Sequence, residues 1–240
     1  CFVQAGDVAA ADDYERMLLN GIIGNQKLDD DGGAAFIYML PLGTGTGPVG
    51  GAVTKPWGDA RDGFPCCWGS LSESFSKLSD SIYFRDDDGV YVNLFTSSSA
   101  RFDGAAIAQD ADSFLAMNGS ARIAVRGTFA LRVRVPSWLG VGAGSIAVGG
   151  ETFGVKPGSY FELGVKPGDD VVVSYPPHLW ASPLADEREE YNATMAFMFG
   201  PLVLAGVDVA TDIFVPAGDA NDPASFIRRT AALEFEARAA

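Results

Sequence analysis

The spacing of apolar residues changes once along this chain, and that change constrains the fold more than any other feature. Between residues 7 and 23, apolar side chains recur every three or four positions, after an aspartate that can cap a helix and before Gly24, which can end one. Beyond Asp80 the apolar period is two, which is typical of strands with one buried face. We therefore predict a helical first part and an all-β second part, with a boundary near residue 85.

The second part contains short alternating segments separated by glycine, proline and aspartate. The predicted strands are residues 90–95, 129–135, 159–163, 171–175, 193–199 and 202–207. Short strands with turn residues at close intervals are typical of an antiparallel sandwich. Two Lys-Pro-Gly triplets, at residues 156–158 and 166–168, are predicted to be hairpin turns. From Arg228 onwards we expect a terminal helix or a frayed end.

The composition predicts a globular protein with an acidic surface. The 240 residues are 48% hydrophobic and carry a formal net charge of −14. That charge disfavours nucleic acid and anionic membranes as partners. No apolar stretch reaches the roughly 20 residues that a membrane-spanning helix needs. Two Asn-x-Ser/Thr triplets, at Asn118 and Asn192, permit a secretory route without establishing a compartment.

Two of the three cysteines, Cys66 and Cys67, are adjacent. A disulfide between neighbours is strained, so thiol or metal chemistry is the better interpretation of the pair. Ser70 and Glu73 form a predicted capping box, which places the pair just before a helix over residues 70–79, where backbone N–H groups favour a thiolate. A thiolate suits zinc binding, nucleophilic catalysis or both. From position alone, two small residues packed under a helix explain the pair equally well.

A resemblance to a known family is carried by residues 64–84, which read FPCCWGSLSESFSKLSDSIYF. This segment resembles the cysteine-pair segment of the β-L-arabinofuranosidase-like enzymes of glycoside hydrolase family 127, especially their plant-type members. Five further blocks agree with the family in the same order: ADDYERMLLNGIIGNQ, FIYMLPLG, LRVRVPSW, PGSYFEL and FGPLVLAG, which begin at residues 11, 36, 131, 157 and 199.

The resemblance implies an α+β multidomain chain that is the C-terminal fragment of such an enzyme. Residues 1–84 would be the C-terminal part, or remnant, of an (α/α)6-barrel catalytic domain. Residues 85–210 would be an antiparallel β-sandwich, and residues 211–240 a tail or the start of a further segment. The implied substrate is a carbohydrate, a glycan with non-reducing-end L-arabinofuranoside residues.

The resemblance also implies a chemistry for the cysteine pair. The family resembles a retaining glycosidase in which Cys66 would be both the nucleophile and a zinc ligand, and Cys67 a second zinc ligand. Tyr38 looks like the family's substrate-contacting tyrosine, although a strand tyrosine with a buried ring explains that residue equally well. The implied cofactor of the complete enzyme is zinc, which keeps sulfur deprotonated at neutral pH.

The rest of the family's catalytic machinery is expected to lie outside these 240 residues. The family completes its zinc site with a Glu-x-Cys pair and supplies its acid from segments before the stretch that Cys1 matches. We do not assign Glu73 as the acid, because the predicted capping box accounts for it. The single histidine, His178, is expected to be a packed or surface residue. The acidic run at residues 85–89 is expected to be a charged turn rather than a calcium site.

A second class of function is a noncatalytic carbohydrate-binding or scaffold module built on the β-sandwich. Trp138, Tyr160 or Trp180 would then offer ring faces to sugars. The same aromatic residues are explained as sandwich core, which we favour.

We predict that the isolated 240-residue chain has no appreciable glycosidase activity, because two metal ligands and the acid are missing from it. The measurement is release of the chromophore from a chromogenic β-L-arabinofuranoside by the purified chain. Release that depends on Cys66 would contradict the prediction.

Overall fold

The first helix begins and ends where the sequence predicts. The computed structural model describes residues 6–24, 26–28, 34–36, 65–112, 114–115, 118–205 and 216–239. Helix α1 spans Val8–Met17, and Asp7 caps it by accepting a hydrogen bond from the Ala9 N–H at 2.9 Å. The helix continues as a π-helical segment, Leu18–Ile23, that ends at Gly24. Helix α2 follows at Pro65–Ser76. That these two helices belong to an (α/α)6 barrel stays a prediction.

Two sheets form the predicted β-sandwich. A short hairpin, β1 (Gln26–Leu28) with β2 (Ala34–Phe36), precedes them. The four-stranded sheet has the order β11-β8-β4-β3 and consists of β3 (Tyr83–Arg85), β4 (Gly89–Val92), β8 (Phe129–Val135) and β11 (Ser159–Val165). The six-stranded sheet has the order β10-β9-β12-β7-β6-β5 and consists of β5 (Ser98–Phe102), β6 (Ala105–Asp110), β7 (Ser120–Arg126), β9 (Ser145–Val148), β10 (Glu151–Gly154) and β12 (Asp170–Ser174).

The core lies between the two sheets, and alternation along each strand produces it. Strand β7 alternates between exposed and buried side chains, with Ile123 and Val125 turned inwards. Strand β8 contributes Leu131 and Val133 from the opposite sheet. The pairing is antiparallel apart from β4 and β8, which run parallel. The sandwich is therefore confirmed, with one parallel pair that the sequence did not indicate.

Two local predictions within the sandwich are wrong. The Lys-Pro-Gly triplets are not hairpin turns, because the first connects β10 to β11 and the second connects β11 to β12, and each connection crosses from one sheet to the other. Their glycines, Gly158 and Gly168, have φ angles of +69° and +91°, a conformation that glycine adopts without strain. The sandwich strands β3, β5, β6, β7, β9 and β10 were not predicted. In β5 and β6, alanine, serine and glutamine weaken the apolar signal.

The chain after the sandwich forms a third sheet and a hairpin. The third sheet has the order β13-β14-β15 and consists of β13 (Leu179–Pro183), β14 (Met195–Phe199) and β15 (Leu202–Val203). The last residues form β16 (Ile227–Arg229) and β17 (Phe235–Ala237), an antiparallel pair. The expected terminal helix or frayed end is therefore wrong. Burial of Phe226 and Ile227 outweighs the helix propensity of the Ala/Glu/Arg-rich sequence.

The predicted domain limits of residues 1–84, 85–210 and 211–240 stay a prediction. The sandwich strands lie between Tyr83 and Ser174, and the strands at residues 179–203 pair among themselves in the separate third sheet. The third sheet contacts the C-terminal hairpin through aromatic pairs, Phe199 with Phe235 and Phe197 with the preceding Phe226, whose ring centroids are 5.0 and 5.3 Å apart. These contacts explain why the last residues fold as strands.

A fully buried arginine fastens α1 to the outer face of the four-stranded sheet. The Arg134 side chain has no exposed surface, and its Nε donates to the Asn93 carbonyl at 2.6 Å. Its Nη2 donates to Glu15 Oε1 at 2.6 Å and its Nη1 to Asp12 Oδ1. Burial opposes the charge of Arg134, but the two carboxylates outweigh that cost, so its pKa lies above the ordinary value.

The carboxylates of Asp12 and Glu15 also accept hydrogen bonds from the residues that follow β8. The Trp138 Nε1 donates to Glu15 Oε2 at 2.9 Å, and the Ser137 backbone N–H donates to Asp12 Oδ2 at 3.1 Å. Each carboxylate thus bridges Arg134 and the residues that follow β8. We call Arg134, Asp12 and Glu15 the ion cluster.

We predict that Arg134→Met lowers the free energy of unfolding by about 3–5 kcal/mol, because it leaves Glu15 and Asp12 without their buried counter-charge. Denaturant unfolding of the 240-residue chain measures this loss. The matched control is Arg122→Met, which breaks the exposed pair with Asp170 and should cost less than about 1 kcal/mol. Equal and small losses in both variants would contradict a stabilising role for the ion cluster.

Candidate active site

The cysteine pair lies inside a helix rather than before one. Helix α2 begins at Pro65, so Cys66 and Cys67 belong to its first turn. Proline suits the first position of a helix, because its missing N–H is not needed there. The predicted start at Ser70 is therefore wrong by five residues. The backbone of the pair still lies at a helix N-terminus, where unpaired N–H groups favour a thiolate.

The capping box that suggested the later start does not exist. Ser70 and Glu73 are interior residues of α2, and the Ser70 carbonyl accepts a hydrogen bond from Ser74 Oγ at 3.1 Å. Glu73 instead forms an exposed ion pair with Lys77, one turn along. The hydrogen bond and the charge of Lys77 hold the pKa of Glu73 below its ordinary value. Glu73 is a solvated carboxylate, and a group that stays ionised is a poor proton donor.

Apolar contacts connect α2 to α1 and to the start of the sandwich. Leu18, Ile82 and Leu94 are buried together, with Leu78 and Ile22 packed against them. Leu18 and Ile22 belong to the π-helical segment after α1, and Leu78 and Ile82 belong to the turn after α2. The C-terminal end of the cysteine-bearing helix is thus packed against the element that the ion cluster holds.

The π-helical segment is itself attached to the third sheet. The Asn20 side-chain amide donates to the Pro201 carbonyl at 2.8 Å, and its oxygen accepts from the Val203 N–H at 2.8 Å. Arg16 Nη2 donates to Ser182 Oγ at 3.0 Å. One helical element therefore contacts the sandwich, the third sheet and the turn after α2.

The predicted site residues are only partly within the described part of the chain. Tyr38 lies outside it, and of Cys66 and Cys67 the structure describes only the backbone. Among the residues that the structure describes, no group of three or more His, Cys, Asp or Glu residues is placed to hold a metal ion. As a donor set, two adjacent thiols fit a soft ion such as zinc but are fewer than the three or four protein ligands that zinc normally takes.

The remaining polar candidates have structural explanations. Asp86 accepts hydrogen bonds from the Asp88 and Gly89 N–H groups at 3.0 and 2.8 Å, and from the Tyr91 hydroxyl. Partial burial opposes ionisation of Asp86, but these bonds and Arg132 outweigh it and lower its pKa. The acidic run is thus the charged turn that the sequence predicts. His178 is an exposed residue, and desolvation by the part of its ring that packs on the protein lowers its pKa.

The three aromatic residues named for a carbohydrate-binding module, Trp138, Tyr160 and Trp180, pack against other residues of the protein. Trp138 is 8% exposed and donates to Glu15. The Tyr160 hydroxyl donates to Asn93 Oδ1 at 2.6 Å, and burial raises the pKa of that phenol. Trp180 packs against the sandwich core and donates its Nε1 proton to the Gly200 carbonyl at 2.8 Å. The core role that we favour is confirmed for Trp138 and Trp180. It is wrong for Tyr160, which lies on the outer face of its sheet, where its ring packs edge-on against Tyr91 with the centroids 5.3 Å apart.

The ion cluster is the feature that sequence reasoning missed. The alternation in β8 places Arg132 and Arg134 on one face, but it does not show that α1 covers only the second of them. The available signal was the pair of acidic residues, Asp12 and Glu15, which lie three positions apart on α1.

No helix among the described residues is long and apolar enough to cross a membrane.

Sequence models of one family match most of this chain. The model of the GH127 β-L-arabinofuranosidase catalytic domain matches residues 1–80, and the model of the GH127 middle domain matches residues 89–176. The chain belongs to the GH127 β-L-arabinofuranosidase family, which is a family of glycoside hydrolases. A search of curated proteins gave no match.

Solved structures share the fold. A GH127 β-L-arabinofuranosidase from Geobacillus stearothermophilus T6 matches 83% of this chain with 25% identity and a TM-score of 0.61. Another GH127 β-arabinofuranosidase matches 84% with 26% identity and a TM-score of 0.62. A protein described as a glycoside hydrolase matches 89% with 23% identity and a TM-score of 0.71. The chain spans 33%, 34% and 37% of those three structures, which is about a third of their length.

Proposed function

We propose that this chain contributes the nucleophile and two zinc ligands to a retaining β-L-arabinofuranosidase-type active site. The observation that carries the proposal is the position of Cys66 and Cys67 in the first turn of α2, within the stretch that matches the GH127 catalytic domain. A helix N-terminus suits a sulfur nucleophile, because the thiolate is the reactive form and N–H groups stabilise its charge.

The proposed reaction has two displacements at the anomeric carbon. The Cys66 sulfur donates an electron pair to that carbon, and the bond to the leaving oxygen breaks as a general acid protonates that oxygen. Water then attacks the glycosyl thioether, loses its proton to the conjugate base of that acid and restores the Cys66 thiolate. Two inversions give net retention, as in other retaining glycosidases. Zinc, when bound by Cys66 and Cys67, would keep the sulfur deprotonated.

Glu73 has no part in this proposal. It is paired with Lys77 on the exposed surface of α2, two turns from the start of the helix. Tyr38 is proposed to contact the sugar, on the strength of its sequence block alone. The substrate class that the proposal implies is a glycan with terminal L-arabinofuranose.

We predict that the 240-residue chain binds zinc weakly through Cys66 and Cys67. Two thiolates provide half of a tetrahedral site, and each must lose a proton, so the affinity should fall as the pH is lowered. Competition with a chromogenic chelator measures it. Cys66→Ser and Cys67→Ser should each lower the affinity by about tenfold or more, which is the scale of loss for a disturbed metal site.

The third cysteine provides the matched control. Cys1→Ser removes one thiol from the same chain and should leave zinc affinity unchanged. Absence of zinc binding, or binding that is equal in all three variants, would contradict the assignment of the pair as metal ligands.

A further inference from the structure

The loop between β13 and β14 carries the second Asn-x-Ser/Thr triplet of the chain. The loop covers residues 184–194, and the Leu184 N–H donates to the Thr194 carbonyl at 2.9 Å, which closes the loop at its base. The triplet consists of Asn192, Ala193 and Thr194, and all three residues are exposed. An asparagine-linked glycan is bulky, so its acceptor must lie on the surface of the folded protein. The β13–β14 loop meets that requirement.

The two side chains that N-glycosylation needs are available in this loop. The Asn192 backbone N–H donates to the Glu189 carbonyl at 3.2 Å, and the Thr194 backbone N–H donates to the Tyr191 carbonyl at 2.8 Å. Within the part of the chain that the structure describes, neither the Asn192 amide nor the Thr194 hydroxyl forms a hydrogen bond. The backbone polar groups of the triplet are thus used in the turn, while its acceptor amide and its hydroxyl are not.

The rest of the loop can accommodate a glycan. Every residue from 184 to 194 is exposed apart from Asp186 and Tyr191, which are partly exposed. Arg188 contacts both of them, because its guanidinium pairs with Asp186 at 2.7 Å and lies 4.3 Å from the centroid of the Tyr191 ring. A glycan on Asn192 therefore displaces no buried side chain of this loop.

The first triplet, at Asn118, is held by the sandwich instead. Asn118 is exposed, but it and Gly119 have φ angles of +66° and +68°, which fix a tight turn. Ser120, the hydroxyl residue of this triplet, is the first residue of β7 and pairs with Ser174 of β12. A glycosylating enzyme can thus use the Asn118 triplet only before β7 forms. The loop triplet stays accessible during and after folding.

We propose that Asn192 is an N-glycosylation site of this protein. The Asn192 Nδ2 attacks the anomeric carbon of an oligosaccharide that is carried on a lipid diphosphate. A C–N bond forms, the nitrogen loses one proton, and the lipid diphosphate leaves with the electron pair of the broken C–O bond. Because asparagine-linked glycans belong to secreted proteins, the inference also assigns this protein to a secretory route. It goes beyond the proposed function and does not depend on it.

The test is mass spectrometry of the protein purified from its native source. An amidase that releases N-glycans, used in water labelled with heavy oxygen, converts each glycosylated asparagine into a labelled aspartate. The tryptic peptide 189–228 should carry the label at Asn192. Asn221 is the matched control, because it lies in the same peptide and is exposed but has Pro223 where a triplet needs Ser or Thr. It should stay unlabelled, and without the amidase Asn192 should stay unlabelled too.

Variants of the hydroxyl residue test whether the triplet itself directs the modification. The protein is secreted from a eukaryotic host, and the label at Asn192 is measured in the same peptide. Thr194→Ala keeps the asparagine but removes the hydroxyl, so the glycan should be lost. Thr194→Ser keeps a hydroxyl and should retain the glycan. Because Thr194 is exposed, neither variant disturbs the core.

The possible outcomes separate this inference from the cysteine assignment. An unglycosylated Asn192 in the native protein would overturn the inference, and so would a glycan found on Asn118 alone. A glycan that persists on Asn192 in Thr194→Ala would contradict it as well. Zinc binding by Cys66 and Cys67 is measured independently, so failure of one proposal does not decide the other.

Discussion

A fully buried arginine holds the helical and sheet parts of this chain together. Arg134 cannot be exposed to water without separating α1 from the four-stranded sheet, and it cannot remain buried without the carboxylates of Asp12 and Glu15. Such a cluster costs desolvation, which its hydrogen bonds from Trp138 and Ser137 help to offset. Its chief consequence is orientation, because three directed contacts leave α1 one way to lie on the sheet.

Packed apolar residues connect α1 to the C-terminal end of the helix that carries the cysteine pair. The acidic members of the ion cluster lie in the stretch that matches the GH127 catalytic domain, and Arg134 lies in the stretch that matches the middle domain. The π-helical segment after α1 packs Leu18 against Ile82, which follows α2. The sandwich therefore holds α1 and its π-helical segment in place, and the end of the cysteine-bearing helix packs against that segment. Asn20 adds the third sheet to the same assembly.

Sequence patterns predicted the elements whose signals are local. The cap at Asp7, the end at Gly24 and strand β8 follow from residue type and period, and the structure confirms them. The burial of Arg134 could not be predicted, because it depends on a helix more than a hundred residues away. For α2, the apparent capping box at Ser70 and Glu73 led to a predicted start five residues too late. Pro65 was the better signal, because proline is common at the first position of a helix. The role of the cysteine pair was suggested by the resemblance to the family, because the position of the pair alone did not decide between chemistry and packing.

The most direct test of the account is to trap the covalent intermediate on the protein purified from its native source. A slow-reacting arabinofuranoside analogue would label the nucleophile, and mass spectrometry of the tryptic peptide 62–77 would locate the sugar, since that peptide contains Cys66, Cys67 and Glu73. The account predicts one pentosyl group on the Cys66 sulfur. A sugar on Glu73, on Cys67 or on a carboxylate elsewhere would contradict it.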